Sequence, residues 1–174
     1  MLCWRQLSKS MARLGVVGKA FCIVSGGQTG VDRACLAWAI RHGVQHGGWC
    51  PRGRLAEDGE VPARYRLSET PSARPAQRTE WNVTDSDATV IFSQSAKLFG
   101  GSWKTWEACK KFDKPVLHLC AETLTVAESA ILLRKFLQQH SVRRLNAAGP
   151  RKSQEAGAGR FARAVLDRAG SLKF

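Results

Sequence analysis

Eight consecutive residues, Ser25-Gly26-Gly27-Gln28-Thr29-Gly30-Val31-Asp32, have the types and spacing to hold an anion. An apolar run, Ala20 to Val24, precedes them, and Val31, Ala34, Cys35, Trp38 and Ala39 follow at helical spacing. The stretch therefore reads as a strand, a glycine turn and a helix start. Glycines let a backbone approach a ligand closely, and the first amides of a helix lack intrahelical acceptors. A second turn of this kind, Phe99-Gly100-Gly101-Ser102, leads into a predicted helix from Trp103 to Phe112. In a parallel sheet both turns would stand at the carboxyl edge, where two helix N-termini could converge on one anionic ligand. A third loop, Ala148-Gly149-Pro150-Arg151, ends a strand in the same way and adds a positive charge.

The first turn is neither of two familiar phosphate loops. No Lys-Ser/Thr follows Gly30, as an ATP-type loop requires. Ser25 stands where a dinucleotide fingerprint has its first glycine, and the nearest acids beyond the helix, Glu57 and Asp58, fall in an irregular stretch. Structural roles compete for several of these residues. Thr29 and Asp32 have the spacing of a capping box, and Ser102 is either a helix N-cap or a phosphate contact. Gln28 has no such structural duty. Arg78, Thr79, Glu80 and Asn82 crowd together before a buried strand, where Arg78 is suited to a phosphate or carboxylate and the group is equally suited to a solvated helix face. Trp49 and Trp81 either stack on a planar heterocycle or pack a lid. His46 and Cys50 have metal-pair spacing but are too few for a closed zinc site, so no structural metal is expected.

The elements that must position these residues alternate between strand and helix. Strands are expected at Val44 to His46, Ala88 to Ser93, Pro115 to Leu119 and Val142 to Asn146, with helices at Ala76 to Val83, Thr125 to His140 and Arg160 to Ala169. Gly47 to Pro75 is punctuated by Gly and Pro too often for regular structure, yet Trp49, Leu55, Val61, Tyr65 and Leu67 predict a packed loop. The alternation predicts an α/β fold with a mainly parallel sheet and helices on both faces. With 174 residues and 44% hydrophobic content, a single domain spanning 20–170 is expected.

The formal charge of +13 is concentrated at the ends. Residues 1–20 carry four Lys/Arg and no acid, 134–174 carry ten against Glu155 and Asp167, and the middle is close to neutral. That distribution favours solvated faces over a nucleic-acid surface, and residues 1–19 read as a basic, flexible extension. The six cysteines include no CxxC pair and several sit in apolar patterns, which suits reduced thiols in a cytoplasmic protein. No run approaches membrane-spanning length.

The blocks SGGQTGVDRACLAWAI, HGGWCPRGRLAEDGEVP, TPSARPAQRTEWNVTDSDATVIF, GGSWKTWEACKKFDKPVLHL and LNAAGPRKS resemble, in order and spacing, the molybdenum carrier proteins of the SLOG superfamily. The resemblance runs from about Phe21 to Leu166. It implies a Rossmann-like domain, a homo-oligomer, and binding of the molybdenum cofactor (molybdopterin), for carriage or storage, or of a related nucleotide. Carried over by motif, the binding residues are Gly26, Gly27, Gln28, Thr29, Gly30, Asp32, Arg78, Thr79, Glu80, Gly100, Gly101 and Ser102. The same superfamily contains LOG-type phosphoribohydrolases with a PGGxGTxxE motif. Here Glu107 keeps its distance from Gly100, but Phe99 replaces the proline, Trp103 the third glycine, and Thr105 is displaced by one residue. Binding is therefore expected over nucleoside-monophosphate hydrolysis through Glu107, and both over nucleic-acid binding through Arg143, Arg144, Arg151 and Lys152.

Overall fold

The computed structural model describes residues 21–171. The basic extension expected over 1–19 lies outside the described residues. Five strands form one parallel sheet. They are β1 (Cys22–Val24), β2 (Gln45–Gly47), β7 (Ala88–Ser93), β8 (Val116–Cys120) and β9 (Arg144–Ala148), in the spatial order β2-β1-β9-β7-β8. The last strand is thus the central one. Its neighbours are fixed in register by Cys22 opposite Arg144 on one side and Ala88 opposite Leu145 on the other.

Helices α1 (Val31–Arg41), α2 (Pro75–Thr84), α3 (Gly100–Lys111), α4 (Val126–Gln139) and α5 (Ala158–Ser171) cover both faces. Strand periodicity sorts the side chains between them. Ala88, Val90 and Phe92 of β7 join Val31, Cys35, Leu133, Phe161 and Val165 in the larger core under α1, α4 and α5. On the other face Val83, Ala108 and Cys109 form a smaller core, with Phe112 and Val116 packed against it. The β8 side chains that point to this face include His118.

The elements form where the sequence places them, with small shifts at their ends. Pro opens α2, where its missing N–H costs nothing. Thr125 caps α4 in a reciprocal box with Glu128, each side chain bonding the other's backbone N–H. α3 begins at Gly100, three residues before the expected start, so the second glycine turn is the first turn of the helix itself. The long loop contains two short strand pairs, β3 (Trp49–Cys50) with β6 (Ser68–Glu69) and the hairpin β4 (Leu55–Ala56) with β5 (Gly59–Glu60). Val61 and Tyr65 are buried against Leu36 of α1, which makes this loop a packed one, as its apolar residues indicated. Among the described residues no helix is long and apolar enough to cross a membrane.

Candidate functional site

Parallel strands end on the same side, so the turns after β1, β7 and β9 share one edge of the sheet. Gly30 takes φ +79° at the start of α1, and a Cβ there would lie 2.4 Å from the Pro150 carbonyl oxygen. Only glycine fits both demands. The Val31 N–H donates to Pro150 O at 3.4 Å, and the Lys152 N–H donates to Thr29 Oγ1 at 3.1 Å. The loop after β9 therefore covers the first turn.

The polar side chains of that turn are committed to protein partners. Asp32 is buried and accepts from the Gln28 N–H at 3.2 Å and from Arg78 Nη1 at 3.0 Å. Burial raises the Asp32 pKa, and the adjacent guanidinium opposes that rise. Arg78 lies directly over Gly26, where a Cβ would collide with its guanidinium. The expected Thr29–Asp32 capping box does not form, because Asp32 turns to Arg78 and the N-cap position falls on Gly30. Gln28 Oε1 accepts from the N–H groups of Thr29 and Glu57, at 3.0 and 2.9 Å.

An anion does sit at this turn, supplied by the protein. The Glu57 carboxylate, at the tip of the β4–β5 hairpin, accepts from Thr29 Oγ1, from the Ser153 N–H at 3.3 Å and from Ser153 Oγ. Arg151 Nε stands 3.9 Å away. These hydrogen bonds, from Ser153 first and Thr29 next, lower the Glu57 pKa. Beside it Asp58 makes a two-pronged ion pair with Arg33.

The second turn is open by contrast. Gly100 and Gly101 are exposed, and a Cβ on Gly101 would meet nothing within 4 Å. A cavity of about 600 Å³ adjoins this turn, lined by Ala96, Lys97, Leu98, Phe99, Gly100, Trp103, Trp106 and His118. Phe99 and Trp103 are 56% and 48% exposed. On the inner side of the helix Ser102 is buried and its Oγ has no hydrogen-bond partner. The loop after β9 stands between the two turns, with Gln154 near Gly100 and Glu155 Oε2 accepting from the Gln94 N–H.

Of the other expected site residues, only Arg78 reaches the first turn. Thr79 Oγ1 donates back to Pro75 O, and Glu80 pairs with Lys111 on the exposed surface. Asn82 clamps the Trp49 backbone through both ends of its amide. Trp49 and Trp81 pack edge to face with centroids 4.7 Å apart, and Trp49 Nε1 donates to Asp85. Glu107 is exposed on α3 and is not part of the cavity wall. His46 accepts from the Arg66 N–H, Cys50 Sγ bonds Ser68 O, and no group of three potential metal ligands occurs among the described residues. Arg143 and Arg144 lie at the amino end of β9 and Arg151 and Lys152 beyond its carboxyl end, so these four bases do not make one surface.

Sequence reasoning passed over Glu57, Trp103, Trp106 and His118 as site residues. A signal existed for the tryptophans, since Phe99, Trp103 and Trp106 recur at helical spacing on a stripe that the core of α3 does not use. Glu57 had none, because its position depends on how the β4–β5 hairpin, beyond α1 and β2, folds back on Thr29.

A family model described as "Circularly permutated YpsA SLOG family" matches residues 23–169. A crystal structure of a "Putative molybdenum carrier protein" from Syntrophus aciditrophicus is 40% identical, covering 86% of this chain and 94% of its own, with a TM-score of 0.84. No curated protein matches the chain. The permutation is visible in the sheet. If β9 is counted first, the order β2-β1-β9-β7-β8 becomes the 3-2-1-4-5 order of a doubly wound nucleotide-binding fold.

Proposed function

The chain belongs to the circularly permutated YpsA SLOG family, and from that premise we propose that it is a binding protein for a small phosphate-bearing ligand, either the molybdenum cofactor or a related nucleotide. The observation that carries this reading is the open N-terminal turn of α3, with Gly100 and Gly101 exposed beside the 600 Å³ cavity. The Gly100 and Gly101 N–H groups at the start of α3 have no acceptor among the described residues, the helix dipole favours negative charge there, and Lys97 adds a cation to the cavity wall.

The chemistry of the donor set suits the cofactor. Its phosphate fits the amide-lined turn, and its pterin fits the aromatic wall. The first turn takes a supporting part in this reading, because Glu57 and the loop after β9 already engage Thr29 and Gly30. Assembly into a homo-oligomer and residence in the cytoplasm belong to the same proposal.

Thermal unfolding tests it. The melting temperature of the purified protein should rise with the cofactor or with a purine mononucleotide, since a ligand that binds only the folded state stabilises it by mass action. Gly101→Asp, which places a negative charge at an open position, should abolish the rise. No rise with any of these ligands would overturn the proposal. Hydrolysis through Glu107 has less support, since that residue stands outside the cavity wall and Trp103 occupies the motif's third glycine.

A further inference from the structure

The cavity beside α3 carries chemistry that an anion site alone would not use. Three of its lining residues, Phe99, Trp103 and Trp106, are aromatic, and two of them are about half exposed although their burial would be favourable. A fourth, His118, is oriented from behind. The Ser93 hydroxyl has one hydrogen and directs it to Ser95 O at 2.7 Å, so the 2.7 Å contact between Ser93 Oγ and His118 Nε2 requires the imidazole to donate. In the neutral tautomer Nδ1 is left as an acceptor, with no protein partner among the described residues. Burial lowers the His118 pKa, with Glu155 opposing, which favours the neutral imidazole, while the Ser93 contact selects its tautomer.

We propose that this cavity binds the planar ring of the ligand, a bicyclic nitrogen heterocycle of the pterin or purine type, stacked against the Phe99, Trp103 and Trp106 wall and donating a ring N–H to His118 Nδ1. A volume of about 600 Å³ falls in the range of small-molecule sites, and an apolar wall with one or two oriented polar groups is their usual composition. A purely apolar partner would leave the His118 acceptor unmatched. A heterocycle with a ring N–H satisfies it. Gly100 belongs to both the cavity wall and the first turn of α3, so one ligand can place its ring in the cavity and its phosphate at the helix N-terminus. The ring subsite rests on the binding function proposed above, but is separable from the phosphate contact.

The experiment is a titration of tryptophan fluorescence in the full chain with four probes. Free pterin and guanosine carry ring N–H groups and no phosphate, guanosine monophosphate adds the phosphate, and caffeine is a purine with every ring N–H methylated. Pterin or guanosine should quench saturably, with caffeine weaker by about tenfold, the effect of one hydrogen bond. Trp103→Ala, at a half-exposed position, should weaken every probe. His118→Ala should remove the preference for pterin or guanosine over caffeine while caffeine still binds. Gly101→Asp should weaken guanosine monophosphate and spare the free rings, so failure of the phosphate site and failure of the ring site give different patterns. Absence of saturable quenching by any ring would overturn the proposal, as would an unchanged preference in His118→Ala. A change of oligomeric mass in Trp103→Ala without ring binding would also overturn it, by assigning the aromatic wall to contact between copies of the chain.

Discussion

Asp32 and Arg78 bring opposite charges into the protein interior, with side chains 5% and 17% exposed. Removing one partner from a buried pair strands the other charge, at a typical cost of about 3 kcal/mol or more. Arg78→Ala should therefore lower stability by about that amount in urea unfolding, and Asp32→Ala similarly. The double variant should cost less than the two single ones added, since neither charge is then left alone. Glu57 makes a different prediction, in pH. Its folded pKa lies below its unfolded one, so its hydrogen bonds to Thr29 and Ser153 stabilise the fold above the ordinary glutamate value and fade as pH falls through the folded value. Stability should exceed that of Glu57→Gln at pH 7, and the difference should shrink steadily from about pH 4.3 downward. A constant difference across that range would show that the charge is not what anchors the hairpin.

Helix termini decide how much each element contributes, and the two kinds found here behave differently. The Thr125–Glu128 box satisfies amides that α4 would otherwise leave open, so Thr125→Ala should cost about 1 kcal/mol without touching ligand binding. At α3 the corresponding amides carry no side-chain cap, and Phe99 rather than Ser or Thr occupies the N-cap position. Such starts are where sequence reading was weakest. Periodicity located every large helix and all five sheet strands to within two or three residues, because buried positions such as Val90, Leu133 and Val165 repeat at the period of their element. It placed the start of α3 at Trp103, because Gly100 and Gly101 look like turn residues and only the backbone shows them already helical. Thr29 and Asp32 have the spacing of a capping box, one of the two roles the sequence leaves open for them, yet a partly buried arginine 46 residues away competes better for the carboxylate. Local pattern contains no record of such distant partners. The same limit hid His118, whose role depends on Ser93 in the neighbouring strand.

The order of strands across the sheet gives a prediction for the fold as a unit. β9 is last in the chain but central in the sheet, and it packs between β1 and β7. After β9 the chain runs back along α5, so α5 ends on the same side of the sheet as the start of β1. A β9–α5–β1 connection would then be an ordinary crossover between adjacent parallel strands. Joining Phe174 to Met1 leaves residues 172–174 and 1–20 as the connecting segment, and at about 3.3 Å per residue these reach further than such a crossover requires. New ends can be opened at His140–Ser141, in the exposed turn between α4 and β9, where few contacts would be lost. The resulting chain would begin with β9 and carry the unpermuted 3-2-1-4-5 sequence of strands. It should fold to the same secondary-structure content by circular dichroism and unfold in a single transition, since every strand pair and both cores are retained. The permutation exchanges one set of local contacts for another, since β9 and β1 become consecutive while α4 and α5 move to opposite ends of the chain, so chain topology alone gives no faster folding than in the natural order. A permuted chain that fails to fold would show that the connection from β8 through α4 into β9, rather than the set of final contacts, is what the sheet needs to assemble.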